Sequence, residues 1–120
     1  MINSPFDELR VNNVDPVTFI AGASQYFYFD LYDDNGNPYD ANTLSDIKLN
    51  ISPYGNPDKL VVSLTGYPIY QNRIMFYLYS LVTTNLSGVY VHQLVLTDGS
   101  GLIHKPTQGL ITIIPKIGNN

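Results

Sequence analysis

The sequence predicts an all-β fold, an immunoglobulin-like β-sandwich of about seven antiparallel strands preceded by an extended N-terminal arm, with a small barrel as the alternative. From Val17 onward, short β-branched or aromatic runs alternate with clusters of Gly, Pro, Asn and Asp about every ten residues. No stretch has the length and periodicity of a well-formed helix. The 120 residues suit one domain. We therefore divide the chain into an arm (1–15), a sandwich (16–116) and a flexible tail (117–120).

The strands are placed by apolar and polar residues that alternate with a period of two. Strands are expected at residues 25–32, 46–52, 59–65, 73–79, 89–97, 102–105 and 109–114. The side chains expected to face the core are Phe27, Phe29, Leu31, Ile47, Leu49, Ile51, Leu60, Val62, Leu64, Ile74, Phe76 and Leu78. Their neighbours, for example Lys48, Asn50 and Ser52, are expected to face outward.

Turn-forming residues separate these strands. Residues 33–38 are dense in residues that tolerate positive φ or cap turns, and residues 98–101 (Asp-Gly-Ser-Gly) have the composition of a hairpin turn. Residues 81–87 are expected to close one short helical turn. The run Gly88-Val89-Tyr90 is typical of a tyrosine corner, in which a Tyr hydroxyl bonds a nearby backbone group. The segment 109–114 is expected at a sheet edge, where it could pair with a neighbouring protein.

Composition excludes several classes of partner. The net charge is −4 and the 6 basic residues are scattered singly, so there is no basic patch for a nucleic acid or an anionic membrane. No apolar run is long enough for a membrane helix, and the N-terminus lacks the pattern of a signal peptide, so we expect a protein made in the cytoplasm. The absence of cysteine rules out disulfides and thiolate metal sites.

The histidines are the first candidates for chemistry. His92 and His104 occupy adjacent predicted strands and could pair around a metal or form half of an acid–base site. The sequence places no carboxylate to orient either ring, and a single His on a strand is usually a surface or hydrogen-bonded residue. Serine nucleophile elbows and phosphate loops are missing as well. We therefore predict a non-enzymatic protein without catalytic, cofactor-binding or metal-binding residues.

A second candidate is a calcium loop. Asp33, Asn35 and Asn37 have the alternate spacing that opens such a loop. The glycine, however, is Gly36 rather than the residue after Asn37, and Leu44 occupies the position of the closing glutamate. A plain turn is therefore favoured.

The tyrosines point to a contact surface. Charged residues are only 13% of the chain, and its 10 tyrosines are too many for one small core. Tyrosine offers a large contact area at low entropy cost, which favours a protein-binding surface. A surface that stacks on sugars ranks lower because Trp is absent. The alternative without a binding role is that the tyrosines are present only because Tyr has a high β-propensity. The candidate partner-binding residues are Tyr67 and Tyr70, together with Ile2, Phe6, Leu9 and Val11 of the arm, which could become ordered on a partner.

Several segments resemble the immunoglobulin-like modules of tailed-phage virion proteins. They are residues 29–38, 47–53, 86–90, 96–98 and 111–115, and the resemblance extends over 17–115. The similar proteins are the N-terminal module of upper-baseplate adaptor proteins and the small decoration or auxiliary proteins of phage capsids. The motifs are turn and strand signatures, so no catalytic residue is implied.

The resemblance implies a structural protein of the virion, assembled in the host cytoplasm. Its expected role is that of a cement-like capsid decoration protein that binds the assembled shell, with the major capsid protein as partner. The alternatives are a baseplate or fibre adaptor that binds tail proteins and a carbohydrate-binding sandwich. Self-association into a homo-oligomer is compatible with each of them.

Overall fold

A computed structural model of the chain describes residues 9–11 and 17–117. It confirms the immunoglobulin-like β-sandwich, with more strands than the seven or so expected from the sequence. The strands are β1 (Arg10–Val11), β2 (Val17–Ile20), β3 (Gln25–Tyr32), β4 (Asp46–Pro53), β5 (Val62–Thr65), β6 (Tyr67–Tyr70), β7 (Arg73–Leu78), β8 (Gly88–Thr97), β9 (Ile103–His104) and β10 (Gln108–Ile114). A 3₁₀ turn (Ala41–Thr43) and a short helix α1 (Ser80–Thr83) lie between them.

The strands form two sheets that face each other across the core. The four-stranded sheet has the order β1-β3-β7-β6, and the larger sheet has the order β2-β10-β8-β4-β5, with β9 also paired to β8. Two packed sheets of mostly antiparallel strands, here of four and six strands, are the architecture of immunoglobulin-like sandwiches. Among the pairings described, only β2 with β10 is parallel, so the expectation of antiparallel strands throughout needs this one correction.

The expectation that residues 109–114 form a sheet edge is wrong. Ile111 pairs with Tyr90 of β8 on one side and with Val17 of β2 on the other. The backbone groups of β10 are therefore used within the sheet, and the edge on this side is β2.

Most of the residues that alternation predicts to face inward are buried in the core. Phe29, Leu49, Ile74 and Phe76 are essentially inaccessible to solvent. Leu60 is the exception, since it is 54% exposed and β5 begins only at Val62. The buried apolar residues that form the core are Leu9, Phe19, Ala21, Phe27, Phe29, Leu31, Ala41, Ile47, Leu49, Ile51, Val62, Leu64, Ile74, Phe76, Leu78, Tyr90, Leu94, Leu96, Ile111 and Ile113.

The predicted arm needs a correction at residues 9–11. Leu9 is only 5% exposed and belongs to the core, and Val11 packs against it. Arg10 and Val11 pair with Tyr32 and Leu31, which extends the four-stranded sheet by one strand. Residues 9–11 therefore belong to the sandwich rather than to a free arm. Ile2 and Phe6 lie outside the described residues.

The two polar turns adopt the expected geometry. Asp33 Oδ1 accepts hydrogen bonds from the backbone N–H groups of Asn35 and Asn37, both at 2.9 Å. Gly36 has φ of +84°, which glycine adopts without strain. In the second turn, the Gly101 N–H donates to the carbonyl of Asp98 at 3.0 Å and connects β8 to β9. Both segments are plain turns stabilised by their aspartates.

The short helix and the tyrosine corner also form as expected, although the helix spans Ser80–Thr83 rather than residues 81–87. In α1, the Thr83 hydroxyl is buried, donates to the Ala23 carbonyl at 3.0 Å and accepts from the Gly22 N–H at 3.0 Å. The Tyr90 hydroxyl donates to the Ser87 carbonyl at 3.1 Å and accepts from the Ser87 N–H at 3.2 Å. Side-chain hydrogen bonds thus stabilise both α1 and the turn that leads into β8 against the sandwich.

Candidate contact surface

The outer face of the four-stranded sheet is built from tyrosines. Alternation along β3 and β7 buries the Phe, Ile and Leu residues and leaves their neighbours outside. The strand register places Tyr26 on β3 directly opposite Tyr77 on β7. One pair further along, Met75 on β7 lies between Tyr28 on β3 and Tyr67 on β6. We call this surface the tyrosine face; its tyrosines are Tyr26, Tyr28, Tyr32, Tyr67, Tyr70, Tyr77 and Tyr79.

Several of these rings order one another. The ring centroids of Tyr26 and Tyr77 are 4.6 Å apart, those of Tyr77 and Tyr79 are 4.4 Å apart, and those of Tyr26 and Tyr28 are 6.3 Å apart. These separations are close to those of favourable aromatic pairs. Tyr26 and Tyr28 still expose 49% and 50% of their surface. The face is therefore accessible and already ordered, which lowers the entropy that binding would cost.

One ion pair interrupts the aromatic surface. Arg73 Nε donates to Asp30 Oδ1 at 2.7 Å, and Arg73 Nη2 donates to Asp30 Oδ2 at 3.1 Å. The bidentate hydrogen bond lowers the pKa of Asp30 and raises the pKa of Arg73. These opposite charges offset each other, so this part of the face is polar without a net charge.

The predicted contact residues do not all meet on this face. Tyr67 and Tyr70 do lie on it, exposed on the edge strand β6. Alternation in the sequence did not predict β6, because all four of its residues are exposed and no buried face gives a period of two. The strand also contains Pro68, and its register shifts between Pro68 and Tyr70. Leu9 is buried and Val11 packs against the core, so neither offers a free apolar side chain to a partner.

His104 has a carboxylate partner that the sequence did not reveal. Its Nε2 lies 3.0 Å from Asp98 Oδ2, while Asp98 Oδ1 accepts from Ser100 Oγ at 2.7 Å. The hydrogen bond to His104 contributes most to lowering the pKa of Asp98. The carboxylate lies between the hydroxyl and the imidazole, whereas a hydrolytic triad needs the imidazole in the middle. This group stabilises the β8–β9 hairpin and has no nucleophile–base pair.

His92 is buried rather than exposed or hydrogen-bonded. Its ring lies between the sheets, and the ring centroid is 6.0 Å from those of Phe27 and Phe29. Among the residues that the structure describes, its two ring nitrogens have no hydrogen-bond partner. Burial lowers the pKa of His92 to about 4. It lies opposite Gly109, whereas His104 pairs with Leu96 further along β8, so the two candidate histidines do not form a pair.

The structure also bears on metal binding and membrane insertion. In residues 9–11 and 17–117, no cluster of three or more His, Asp or Glu side chains could hold a metal ion. Across the same residues, no helix has the length and apolar character needed to cross a membrane.

Comparison with known proteins shows the fold. No family model and no curated protein matches the chain. Among solved structures, CopC from Methylosinus trichosporium OB3b aligns with a TM-score of 0.54 at 12% identity, over 94% of this chain and 100% of CopC. Fibronectin(III)-like modules of Clostridium thermocellum CbhA align with a TM-score of 0.55 at 8% identity, over 95% of this chain and 50% of theirs. Murine CRIg aligns with a TM-score of 0.51 at 7% identity, over 91% of this chain and 98% of its own.

Proposed function

We propose that this domain is a non-enzymatic binding protein whose tyrosine face attaches it to other proteins of a tailed-phage virion. The observation that supports this function is the ordered, exposed row of tyrosines on one sheet. The general similarity to immunoglobulin-like and fibronectin-like domains agrees with a binding or structural role. The virion assignment rests on the resemblance of the turn and strand signatures to phage modules.

The tyrosine face is large enough to matter in an interface. An aromatic side chain buries about 150–250 Å² when fully covered, so a half-exposed tyrosine still has about 100 Å² to bury. A stable interface of standard size takes about 800 Å² from each partner. The tyrosines of this face would supply most of that area without requiring any strand to move.

As a decoration protein, the domain would stabilise the shell by mass action. A protein that binds the assembled lattice but not the free subunits shifts the equilibrium toward the lattice. The major capsid protein is the proposed partner. The domain needs only affinity and a defined orientation for this role, both of which a rigid sheet face supplies.

Sedimentation with phage particles tests the proposal. Purified protein is mixed with depleted heads and, separately, with tails, and the sedimenting fraction is measured against protein concentration. We expect saturable binding to heads that is weakened at least tenfold in the double variant Tyr67→Ser/Tyr70→Ser. The matched control is Tyr54→Ser, because Tyr54 is 65% exposed but lies outside the tyrosine face.

The other outcomes each overturn part of the proposal. Binding to tails alone would replace the decoration role with that of a baseplate or fibre adaptor. Binding to neither particle would remove the virion assignment. Equal loss in the Tyr54→Ser control would show that the tyrosine face is not the contact surface.

The N-terminal segment can be tested separately. The contribution proposed for Ile2 and Phe6 is apolar burial on the partner. Because Leu9 belongs to the core, the truncation should remove residues 1–8 only. Reduced binding to heads with unchanged thermal stability would support a contact role for the segment, and unchanged binding would exclude it.

A further inference from the structure

A shallow groove lies on the outer face of the larger sheet, on the opposite side of the sandwich from the tyrosine face. It runs beside the loop that connects β4 to β5 and has a volume of about 210 Å³. Pro57 and Leu60 of that loop line one side, and residues of β4, β8 and β10 line the floor. The groove shares no residue with the tyrosine face.

Strand register aligns three amide side chains in the groove. Asn50 on β4 pairs with Gln93 on β8, and Gln93 pairs with Gln108 on β10. Neighbouring strands lie about 4.8 Å apart, so the amides form a row across the sheet. Ser52 adds a hydroxyl beside this row and is only 7% exposed.

Most of these polar groups remain available to a ligand. Ser63 Oγ donates to Asn50 Oδ1 at 2.8 Å, which fixes the Asn50 amide and leaves its Nδ2 hydrogens for another acceptor. Within the described ranges, the side chains of Gln93, Gln108 and Ser52 form no hydrogen bond. The groove thus offers both donors and acceptors in fixed positions.

The remaining lining residues are apolar and uncharged. Pro57, Leu60 and Val91 complete the groove, and no charged side chain is part of its lining. Lys48, on the same face of β4, donates to Thr65 Oγ1 at 2.9 Å, and the charged loop residues Asp58 and Lys59 are exposed and lie outside the lining. The lining itself is therefore uncharged and combines amides with an apolar wall.

We propose that this groove binds a neutral saccharide of about one sugar ring. Hydroxyl groups both donate and accept, as side-chain amides do, so the amide row matches a polyhydroxylated ligand without any charge. The C–H face of a sugar ring can pack on Leu60 and Pro57. At about 210 Å³, the groove is smaller than the pockets of about 300–1,000 Å³ that hold drug-sized ligands, which suits one ring better than an extended peptide. The proposal is independent of the virion assignment.

NMR titration of ¹⁵N-labelled protein tests this site directly. Methyl glycosides of glucose, galactose, mannose and N-acetylglucosamine are added singly to tens of millimolar, and the side-chain NH₂ signals of Asn50, Gln93 and Gln108 are followed. We expect saturable shifts at these signals for at least one sugar, and at least tenfold weaker binding in Gln93→Ala. Gln71→Ala is the matched control, since Gln71 is exposed and lies outside the groove.

Three results would overturn the proposal. The first is the absence of saturable shifts at the three amides with every sugar. The second is a set of shifts confined to the tyrosine face, which would place the saccharide on the aromatic rings instead. The third is saturable binding of a neutral alanine peptide at the amides with no response to sugars, which would make the groove a peptide site.

Discussion

The two outer faces of the sandwich differ sharply although the same strand alternation produces both. On the four-stranded sheet, the outward positions of β3 and β7 carry tyrosines, Met75 and one ion pair. On the larger sheet, the outward positions carry amides, hydroxyls and small apolar side chains, as at Asn50, Gln93 and Val91. Apart from His92 and Gly109, most inward residues of both sheets are large and apolar. The core therefore fixes the fold, and the outward residues decide what each face can bind.

The comparison also separates two kinds of recognition. The tyrosine face offers large rigid area and suits a protein surface, on which aromatic side chains dominate binding energy. The amide groove offers fixed hydrogen-bonding groups in a small volume and suits a small neutral ligand. Variants that change one face and spare the other should separate the two activities.

The largest expected effect comes from Gly109→Ala, which should disturb both faces through the core they share. A Cβ at Gly109 would clash with the His92 ring at Nε2, and that ring is buried beside Phe27 and Phe29. Overpacking of this kind costs about 1–3 kcal/mol or more. We expect urea unfolding to show a loss of about 3 kcal/mol at pH 7.

Two further variants check that interpretation of Gly109→Ala. In Gly55→Ala the new methyl group meets no atom within 4 Å, so stability should stay almost unchanged. In the double variant Gly109→Ala/His92→Ala, the clash is removed and the two losses should not add. An additive double variant would show that the ring does not cause the cost.

The second effect is a pH dependence that originates at His92. Burial lowers its folded pKa to about 4, whereas an unfolded histidine titrates near pH 6.5. Between these values the unfolded state binds the proton, so stability falls as pH decreases from about 6.5 to about 4, by up to about 3 kcal/mol. Urea unfolding at pH 7 and at pH 4.5 should show this loss.

The control for His92 is the variant His92→Leu, which should lose that part of the pH dependence. Asp98 affects stability in a lower pH range than His92. Because the His104 hydrogen bond lowers the pKa of Asp98, the contribution of Asp98 to stability is present above the ordinary aspartate pKa and is lost at lower pH. An unchanged pH profile in His92→Leu would contradict the assignment to His92.

A smaller effect on stability is expected within the tyrosine face. Tyr26 and Tyr77 form a cross-strand ring pair at 4.6 Å, and such pairs contribute about 0.5–1.5 kcal/mol beyond their buried area. A double-mutant cycle with Tyr26→Ala and Tyr77→Ala should give a coupling energy of about 1 kcal/mol in thermal unfolding. A coupling energy near zero would show that the rings do not order one another.

The smallest effect on stability is expected in the amide groove. The Gln93 side chain has no hydrogen-bond partner within the described ranges and is only partly buried. Gln93→Ala should therefore change the free energy of unfolding by less than about 0.5 kcal/mol. A loss comparable to that of the tyrosine pair would give Gln93 a structural role instead.

Local alternation was sufficient to predict much of the sandwich. The strands β3, β4 and β7 bury one face each, so their period of two was visible in Phe27, Ile47 and Ile74. The turns at Asp33 and Asp98 were visible because their side chains cap the backbone locally. Both kinds of signal are contained within a few neighbouring residues.

Long-range packing accounts for what alternation could not predict. β1 is too short to alternate, and Leu9 is buried only because β1 joins the sheet beside β3. Leu60 is exposed because it lies in the loop before β5, which begins only at Val62. The tyrosine face arises from register between strands distant in the chain, so composition revealed the surplus of tyrosines but not their common surface.

Hydroxyl-radical footprinting of the protein bound to phage heads tests the central claim most directly. We predict that Tyr26, Tyr28, Tyr67 and Tyr70 become protected on binding while Tyr54 keeps its reactivity. The bound and free forms are compared at equal radical dose, and the modified tyrosines are quantified by mass spectrometry. Unchanged reactivity of the tyrosine face in the bound form, or protection at Tyr54 instead, would contradict the claim that this face is the contact surface.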